Sequence, residues 1–317
     1  MSNQERAYQR HLRRQARRGF DARKLKWFCT AAEEEFASLG QLTSLGYRKH
    51  WRLIGGKIRP ARQERFYVHR DNGSDILGVA HLDSVQGQRW CHLHNTVAGP
   101  VVASPTLDDR LGAYVICSLL PACGLKADWL LTVGEESCDS TAQEFETDKE
   151  YNWIFSFDRR GTDVVMYHYE TSENRQRIAS VGATVSDGSY SDICELEHLG
   201  VAGFNFGVGY RDYHDTRAWA PLNDTFLQAG RFLSFHQKYG SERIEHVASQ
   251  PEPWWWNDKG WPSESEDNEE CPECGAWALV RLTNGYFCDN CGRWMGPIRT
   301  DTHSLTDSEW QHLEEMA

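Results

Sequence analysis

No stretch of this chain reaches the ~18 consecutive apolar residues that a membrane-spanning helix requires, so no membrane partner is expected. Positive charge is scarce as well. The 34 Lys and Arg stand against 46 Asp and Glu, and the formal net charge of -12 argues against broad nucleic-acid binding. The bases that are present bunch at the start, where Arg6, Arg10, Arg13, Arg14, Arg17, Arg18, Arg23, Lys24 and Lys26 face only Glu5 and Asp21. Neither an apolar segment nor a small-residue cleavage site follows them, so they do not read as a secretory signal. A solvated helix with arginines in water fits them better than a contact to an anionic partner. A disulfide framework is also missing. Of ten cysteines, six (Cys29, Cys91, Cys117, Cys123, Cys138 and Cys194) are scattered without framework spacing, which points to a reducing, cytoplasmic location. There is no internal repeat.

What is present suits a globular enzyme with a small appended module. The 317 residues are 40% hydrophobic and 12% aromatic, enough for one large core. Residues 1–60 read as a basic helical segment, with Ala31 to Phe36 central to its second helix. From about residue 64 the texture changes to short apolar runs separated by turns. Strands are expected at Arg65 to Arg70, Ile76 to His81, Trp129 to Val133, Trp153 to Phe157, Val164 to Tyr169 and Val201 to Phe206, and helices at Leu111 to Leu120 and Asp224 to Phe235. Strands alternating with helices predict an α/β fold over 61–248. The expected form is a three-layer α/β/α domain with a central mixed, largely parallel sheet.

Residues 249–270 break that pattern with Pro251, Pro253, three successive tryptophans (Trp254, Trp255 and Trp256) and an acidic run, and read as a linker whose tryptophans dock on the main domain. Residues 271–317 hold two Cys-x-x-Cys knuckles, Cys271/Cys274 and Cys288/Cys291, 13 residues apart, followed by a short C-terminal helix. Four thiolates at this spacing suit one tetrahedral Zn2+, and a closed four-Cys site is structural. Such a ribbon could serve a protein partner, nucleic acid or simple closure of the chain. The acidic run Glu264, Glu266, Asp267, Glu269 and Glu270 makes nucleic acid the weakest of the three.

Five potential metal ligands run in order through the middle of the chain: His81, Asp108, Glu136, Asp158 and His214. His81, Glu136 and Asp158 fall at or just past the ends of expected strands, where α/β sheets collect their polar sites. Each has a bland alternative. A lone His is usually a surface or core residue, Asp108-Asp109 could be a helix N-cap pair, and Glu135-Glu136 could be solvated. Two adjacent carboxylates at the mouth of a buried strand, however, repel each other without a cation. Asp83, two residues after His81, could accept the other ring N–H and fix the tautomer. Two imidazoles and three carboxylates, one of them shared, can hold two divalent metals side by side and activate water.

The ordered set resembles the co-catalytic two-zinc exopeptidases, a clan of aminopeptidases, carboxypeptidases and deacylases. His81-Leu82-Asp83-Ser84 and Tyr213-His214 look like the aminopeptidase-Y/leucyl-aminopeptidase branch. Asp108-Asp109-Arg110-Leu111-Gly112 and Gly134-Glu135-Glu136 look more like the glutamyl-aminopeptidase branch. The resemblance covers roughly residues 64–240. It implies that Asp108 bridges two divalent metals, Zn2+ in the first instance with Co2+ or Mn2+ also accepted. His81 and Asp158 would complete one metal's ligands, and Glu136 with His214 the other's. It further implies that Glu135 is the general base, that Asp83 orients His81, and that the Asp108–Asp109 peptide is cis.

The sequence departs from that clan in its short gaps. Only 26 residues lie between His81 and Asp108 and 55 between Asp158 and His214, too few for the inserted domain that relatives often carry. The site is therefore expected to be open, or capped by the N-terminal helices. Arg159, Arg160, Arg211 and Arg217 are candidates for binding a substrate carboxylate, against the plainer role of structural salt bridging. The expected function is a metal-dependent exopeptidase, an aminopeptidase acting on a peptide or N-substituted amino acid. An N-acyl amino acid deacylase or carboxypeptidase is the alternative within the clan, and a non-catalytic zinc-binding interaction module the alternative outside it.

Overall fold

The structure, a computed structural model, describes residues 3–54 and 57–246, together with the backbone of 279–282, 285–288 and 294–295. The chain divides into two compact units, Met1–Gln250 and Pro251–Ala317. In the first, helices α1 (Asn3–Gly19) and α2 (Ala22–Thr30) lead into a 3-10 segment at Glu33–Leu39. Strands β1 (Gln41–Ile54), β2 (Lys57–Arg70), β3 (Ile76–His81), β4 (His92–Thr96) and β5 (Gly99–Ala103) follow. Helix α3 (Leu107–Tyr114) continues through a π turn at Val115–Leu119 into α4 (Leu120–Ala122). Then come β6 (Asp128–Thr132), β7 (Trp153–Ser156), β8 (Val164–Val165), α5 (Ser172–Ser180), β9 (Gly203–Phe206), β10 (Trp219–Pro221) and α6 (Leu222–Tyr239).

The central sheet has the order β1-β2-β6-β3-β7-β9-β8. Its inner neighbours β6/β3, β3/β7 and β7/β9 are parallel, whereas β1/β2, β2/β6 and β8/β9 are antiparallel. This is the mixed, largely parallel α/β sheet expected. The inner strands β3, β6 and β7 are buried at every residue, as strands covered on both faces must be. The alternation of side chains along a strand explains the two coats. Trp153 and Phe155 point to one face, where Phe232 of α6 packs at ring separations of 5.8 and 4.3 Å. Ile154 points to the other, beside Tyr169 where both approach Gly203. Among the described residues no helix is long and apolar enough to cross a membrane.

Three expectations need correction. Residues 41–54 form the long strand β1, paired antiparallel with β2 over its whole length, not a helix. Ala31 to Phe36 does not lie inside the second helix, because α2 ends at Thr30 and Ala31 turns to an extended conformation. Of Val164 to Tyr169, only Val164–Val165 is strand, and Tyr167–Tyr169 is a 3-10 turn. A second sheet, β10-β5-β4, was not foreseen. The N-terminal helices pack on the rest of the unit. Leu12 and Ala16 of α1 are buried, and the α1 backbone at Arg13 lies so close to Gly230 of α6 that a methyl there would press on it. Arg6, Arg10, Arg14, Arg17 and Arg18 face solvent, as a solvated helix requires.

In the second unit β11 (Leu279–Leu282), β12 (Gly285–Cys288) and β13 (Trp294–Met295) form an antiparallel sheet. Cys288 ends β12. Cys271, Cys274 and Cys291, the linker 249–270 and the C-terminal helix lie outside the described residues.

Candidate metal centre

Because β6, β3 and β7 are adjacent and parallel, their carboxyl ends open along one edge of the sheet. His81 is the last residue of β3, Glu135 and Glu136 follow the end of β6, and Asp158 follows the end of β7. Gly134 turns the chain after β6 at φ +94°, where a side chain would also collide with the Asp139 carbonyl, so glycine is needed to present the two glutamates. Asp108 enters from the start of α3, whose first residues Asp108 and Asp109 have non-helical dihedrals and are joined by a cis peptide bond. His214 comes from the loop between β9 and β10 and sits at φ +62°, an uncommon backbone for a non-glycine residue and one that clusters at functional sites. Gln86 donates to the His214 carbonyl at 2.7 Å and ties this loop to the one after β3.

All five residues read from the sequence meet here. Ligand atoms of His81, Asp108 and Asp158 lie within 4.8 Å of one another, as do those of Asp108, Glu136 and His214. Asp108 belongs to both groups and turns one oxygen to each: Oδ1 is 3.6 Å from His81 Nε2 and Oδ2 is 3.2 Å from His214 Nε2. Asp158 Oδ1 lies 3.7 Å from His81 Nε2, and Glu136 Oε2 lies 2.9 Å from His214 Nε2. Glu135 is in neither group, yet its Oε2 is 3.7 Å from His81 Nε2.

The donor set fits divalent cations. Four carboxylates face two imidazoles, and Glu136 Oε1 is buried without a hydrogen-bond partner among the described residues. Burial pushes the Glu135 carboxyl well above its ordinary value, opposed by His81 and reinforced by Asp158, Asp192 and Asp108. Burial likewise raises Glu136 and Asp158. Burial alone would lower His214, but its hydrogen bonds to Asp108 and Glu136 outweigh that and hold it at about 10. Asp108 goes the other way: burial would raise it, and the hydrogen bonds with His214 and His81 pull it far down. So much negative charge in one place is what a dication neutralises.

No family model and no curated protein matches the chain. Among solved structures it is similar to a tripeptidase from Staphylococcus aureus, at 11% identity and a TM-score of 0.47, over 72% of this chain and 98% of that one. It is also similar to an aminopeptidase from the archaeon Desulfurococcus kamchatkensis, at 13% and 0.41, over 72% and 98%. A third is an endoglucanase from Thermotoga maritima, at 11% and 0.39, over 67% and 96%. Such low identities transfer no activity, and the chemistry has to be read from the side chains.

The Asp83 carboxylate is not the nearest acceptor for His81. The closer partner of His81 Nδ1 is the Asp83 main-chain carbonyl, at 3.0 Å, with the carboxylate at 3.6 Å. The Asp83 carboxylate instead accepts the backbone N–H groups of Gly134 at 2.8 Å and Glu136 at 3.2 Å, and so fixes the turn that carries both glutamates. Several residues escaped the sequence reading. The buried Tyr210 hydroxyl lies 2.9 Å from Asp108 Oδ1 and 3.0 Å from Asp158 Oδ1. Asn205, buried on β9, accepts from the Asp158 N–H at 3.0 Å and donates to its carbonyl at 2.7 Å. Ser191 donates to Asp158 Oδ2. Asp192, pushed up to about 7 by burial, is held by Ser140 and Thr132 behind the site. Partners of this kind typically change metal affinity about 10–100-fold when removed. Tyr210→Phe is expected to weaken uptake at the His81–Asp108–Asp158 group by that factor, as read by competitive titration against a zinc chelator; unchanged affinity would leave Tyr210 a packing residue only.

The N-terminal segment braces the Asp108 loop. Thr106 Oγ1 donates to the Cys29 carbonyl at 2.7 Å, and Arg110 reaches the carbonyls of Phe28 and Ala31 while lying over the Phe36 ring. Gly112 admits no side chain, since a methyl would overlap the Asp109 carboxylate and the Phe157 carbonyl. The His214 side chain remains 46% exposed, which marks the open side of the site.

Proposed function

We propose that this chain is a metal-dependent exopeptidase of the aminopeptidase kind, with His81, Asp108 and Asp158 holding one divalent cation and Asp108, Glu136 and His214 a second. One observation carries the reading: two ligand groups share Asp108, and a further, partly buried carboxylate, Glu135, faces them without belonging to either. Divalent cations bound there supply Lewis acidity and acidify water. The rest falls to the protein. Donation from His81 Nδ1–H to the Asp83 carbonyl leaves the Nε2 lone pair turned to the acidic groups. Asp83 sets the Glu135–Glu136 turn, and Tyr210 draws Asp108 and Asp158 together. Glu135 carries the proton: as carboxylate it takes one from the attacking water, and as acid it returns it to the amine nitrogen when the C–N bond breaks and the C–O bond has formed.

The four cysteines 271, 274, 288 and 291 are assigned one structural Zn2+, and a protein partner is the contact proposed for the ribbon. Full-length protein purified without chelator is therefore expected to contain about three divalent ions, and to cleave aminoacyl anilides with Zn2+, Co2+ or Mn2+ supplied. Mass-spectrometric metal analysis gives the count. One ion per chain and no cleavage would establish the non-catalytic zinc module in its place. Cleavage confined to N-acylated substrates would establish the deacylase or carboxypeptidase.

A further inference from the structure

Beside the site lies a cavity of about 590 Å3, lined by residues that touch or adjoin the candidate ligands, not by the ligands themselves. Tyr210, hydrogen-bonded to Asp108 and Asp158, forms part of its wall, and so does Tyr213, whose ring packs against His214 at 4.5 Å. Three arginines border the same space, although the chain as a whole carries a net charge of -12. Two of them are committed. Arg159 donates through Nε and Nη2 to Asp163, both at 3.0 Å, and Arg211 stacks on Trp219 with Asp224 at 3.5 Å. The lining aspartates are committed too: Asp163 to Arg159, and Asp212 to the Trp219 indole at 3.1 Å. Arg160 differs. It is exposed, its guanidinium lies 5.6 Å over the Tyr213 ring, and no described carboxylate stands within ion-pair distance of it. The cavity therefore holds a cation in surplus, pre-aimed by an aromatic face.

We propose, building on the peptidase reading above, that this cavity binds a carboxylate of the substrate, with Arg160 as its ligand. A planar guanidinium takes a carboxylate through two parallel N–H bonds, which suits Arg at this position and disfavours Lys. Spacing limits the substrate. The contacts from Arg160 to Tyr213 and from Tyr213 to His214 place the guanidinium no more than about 10 Å from the His214 ring, at most roughly three residues of extended chain at ~3.3–3.6 Å each. The carboxylate is thus either the C-terminus of a short peptide of about two to four residues, or an acidic side chain just downstream of the cleaved bond.

Matched tripeptides separate the two sources: a free acid, its C-terminal amide, and an amide with Glu as the last residue. With metal-loaded, full-length protein, the free acid is expected to exceed the plain amide about 10–100-fold in kcat/KM, mostly through KM, as for hydrogen bonds to a charged group. Recovery by the Glu-containing amide assigns the side-chain source, and no recovery assigns the terminus. Arg160→Gln is expected to bring the acid-to-amide ratio to about 1, and Arg160→Lys to keep part of it. Equal kcat/KM for all three peptides in the wild type, or an unchanged preference for the carboxylate-bearing peptide in Arg160→Gln, overturns the inference and leaves the peptidase reading intact. Calorimetric binding to the Glu135→Gln variant gives an arm free of turnover. Selective binding of the acid there, with no cleavage by the wild type, upholds the carboxylate site and overturns the peptidase, and binding of neither peptide overturns the site.

Discussion

Glu135→Gln is expected to lower kcat by about 10²–10⁴-fold while the metal content stays at the wild-type value. The geometry separates these two readouts. Glu135 lies outside both ligand groups, with its Oε2 3.7 Å from His81 Nε2, so an isosteric amide should leave both groups able to fill. What the amide removes is the capacity to accept a proton and give it back. Burial raises this carboxyl well above its ordinary value, opposed by His81 and reinforced by Asp158, Asp192 and Asp108. KM should move little, because the loss falls on the step and not on uniform binding. Steady-state kinetics with parallel metal analysis decides the matter. Full activity in the variant would remove Glu135 from the mechanism. Lost activity with lost metal would make it a ligand instead.

The parts of the molecule that could be read from sequence are those where one local pattern had one physical cause. Strands β3 and β7 are short apolar runs because both sheet faces are covered, and the candidate ligands His81 and Asp158 stand at or just past their ends because parallel strands end at a common edge. Asp158 and His81 were legible for that reason. Strand β1 was not: it follows a helix-rich stretch, its residues 41–48 are half-exposed or exposed, and its identity comes from pairing with β2. Strand β4 is exposed at every residue from His92 to Thr96, so no buried face left a period to detect. Tyr210 was hidden for a different reason. It joins two aspartates 102 and 52 residues away, and a tyrosine in a Gly-containing loop carries no local sign of such partners. The Asp83 carboxylate was read as the acceptor for the His81 ring, but it holds the turn after β6 instead, through a parallel neighbour strand that only the folded sheet supplies. Spacing found the residues; tertiary contact decided what each of them holds.

Asp108→Asn is expected to reduce the metal content by about two ions per chain, whereas Asp158→Asn or Glu136→Gln should each remove about one. The asymmetry follows from position. Asp108 is the sole residue common to both ligand groups, and its two oxygens face different imidazoles, Oδ1 toward His81 and Oδ2 toward His214. An asparagine keeps the size of the side chain and one oxygen to accept from Tyr210, so the local packing has reason to persist. It replaces the other oxygen with an N–H donor that cannot ligate a cation. One ligand of the three in each group is lost or weakened together, and the charge that remains falls from both sites at once. Activity should therefore drop at least as far as in Glu135→Gln, but with the metal gone. The zinc assigned to the four cysteines should stay, leaving about one ion, and so serves as an internal standard. A variant that still carried two ions beyond that one would show that Asp108 does not bridge, and the division of the cluster into two groups sharing one carboxylate would have to be abandoned.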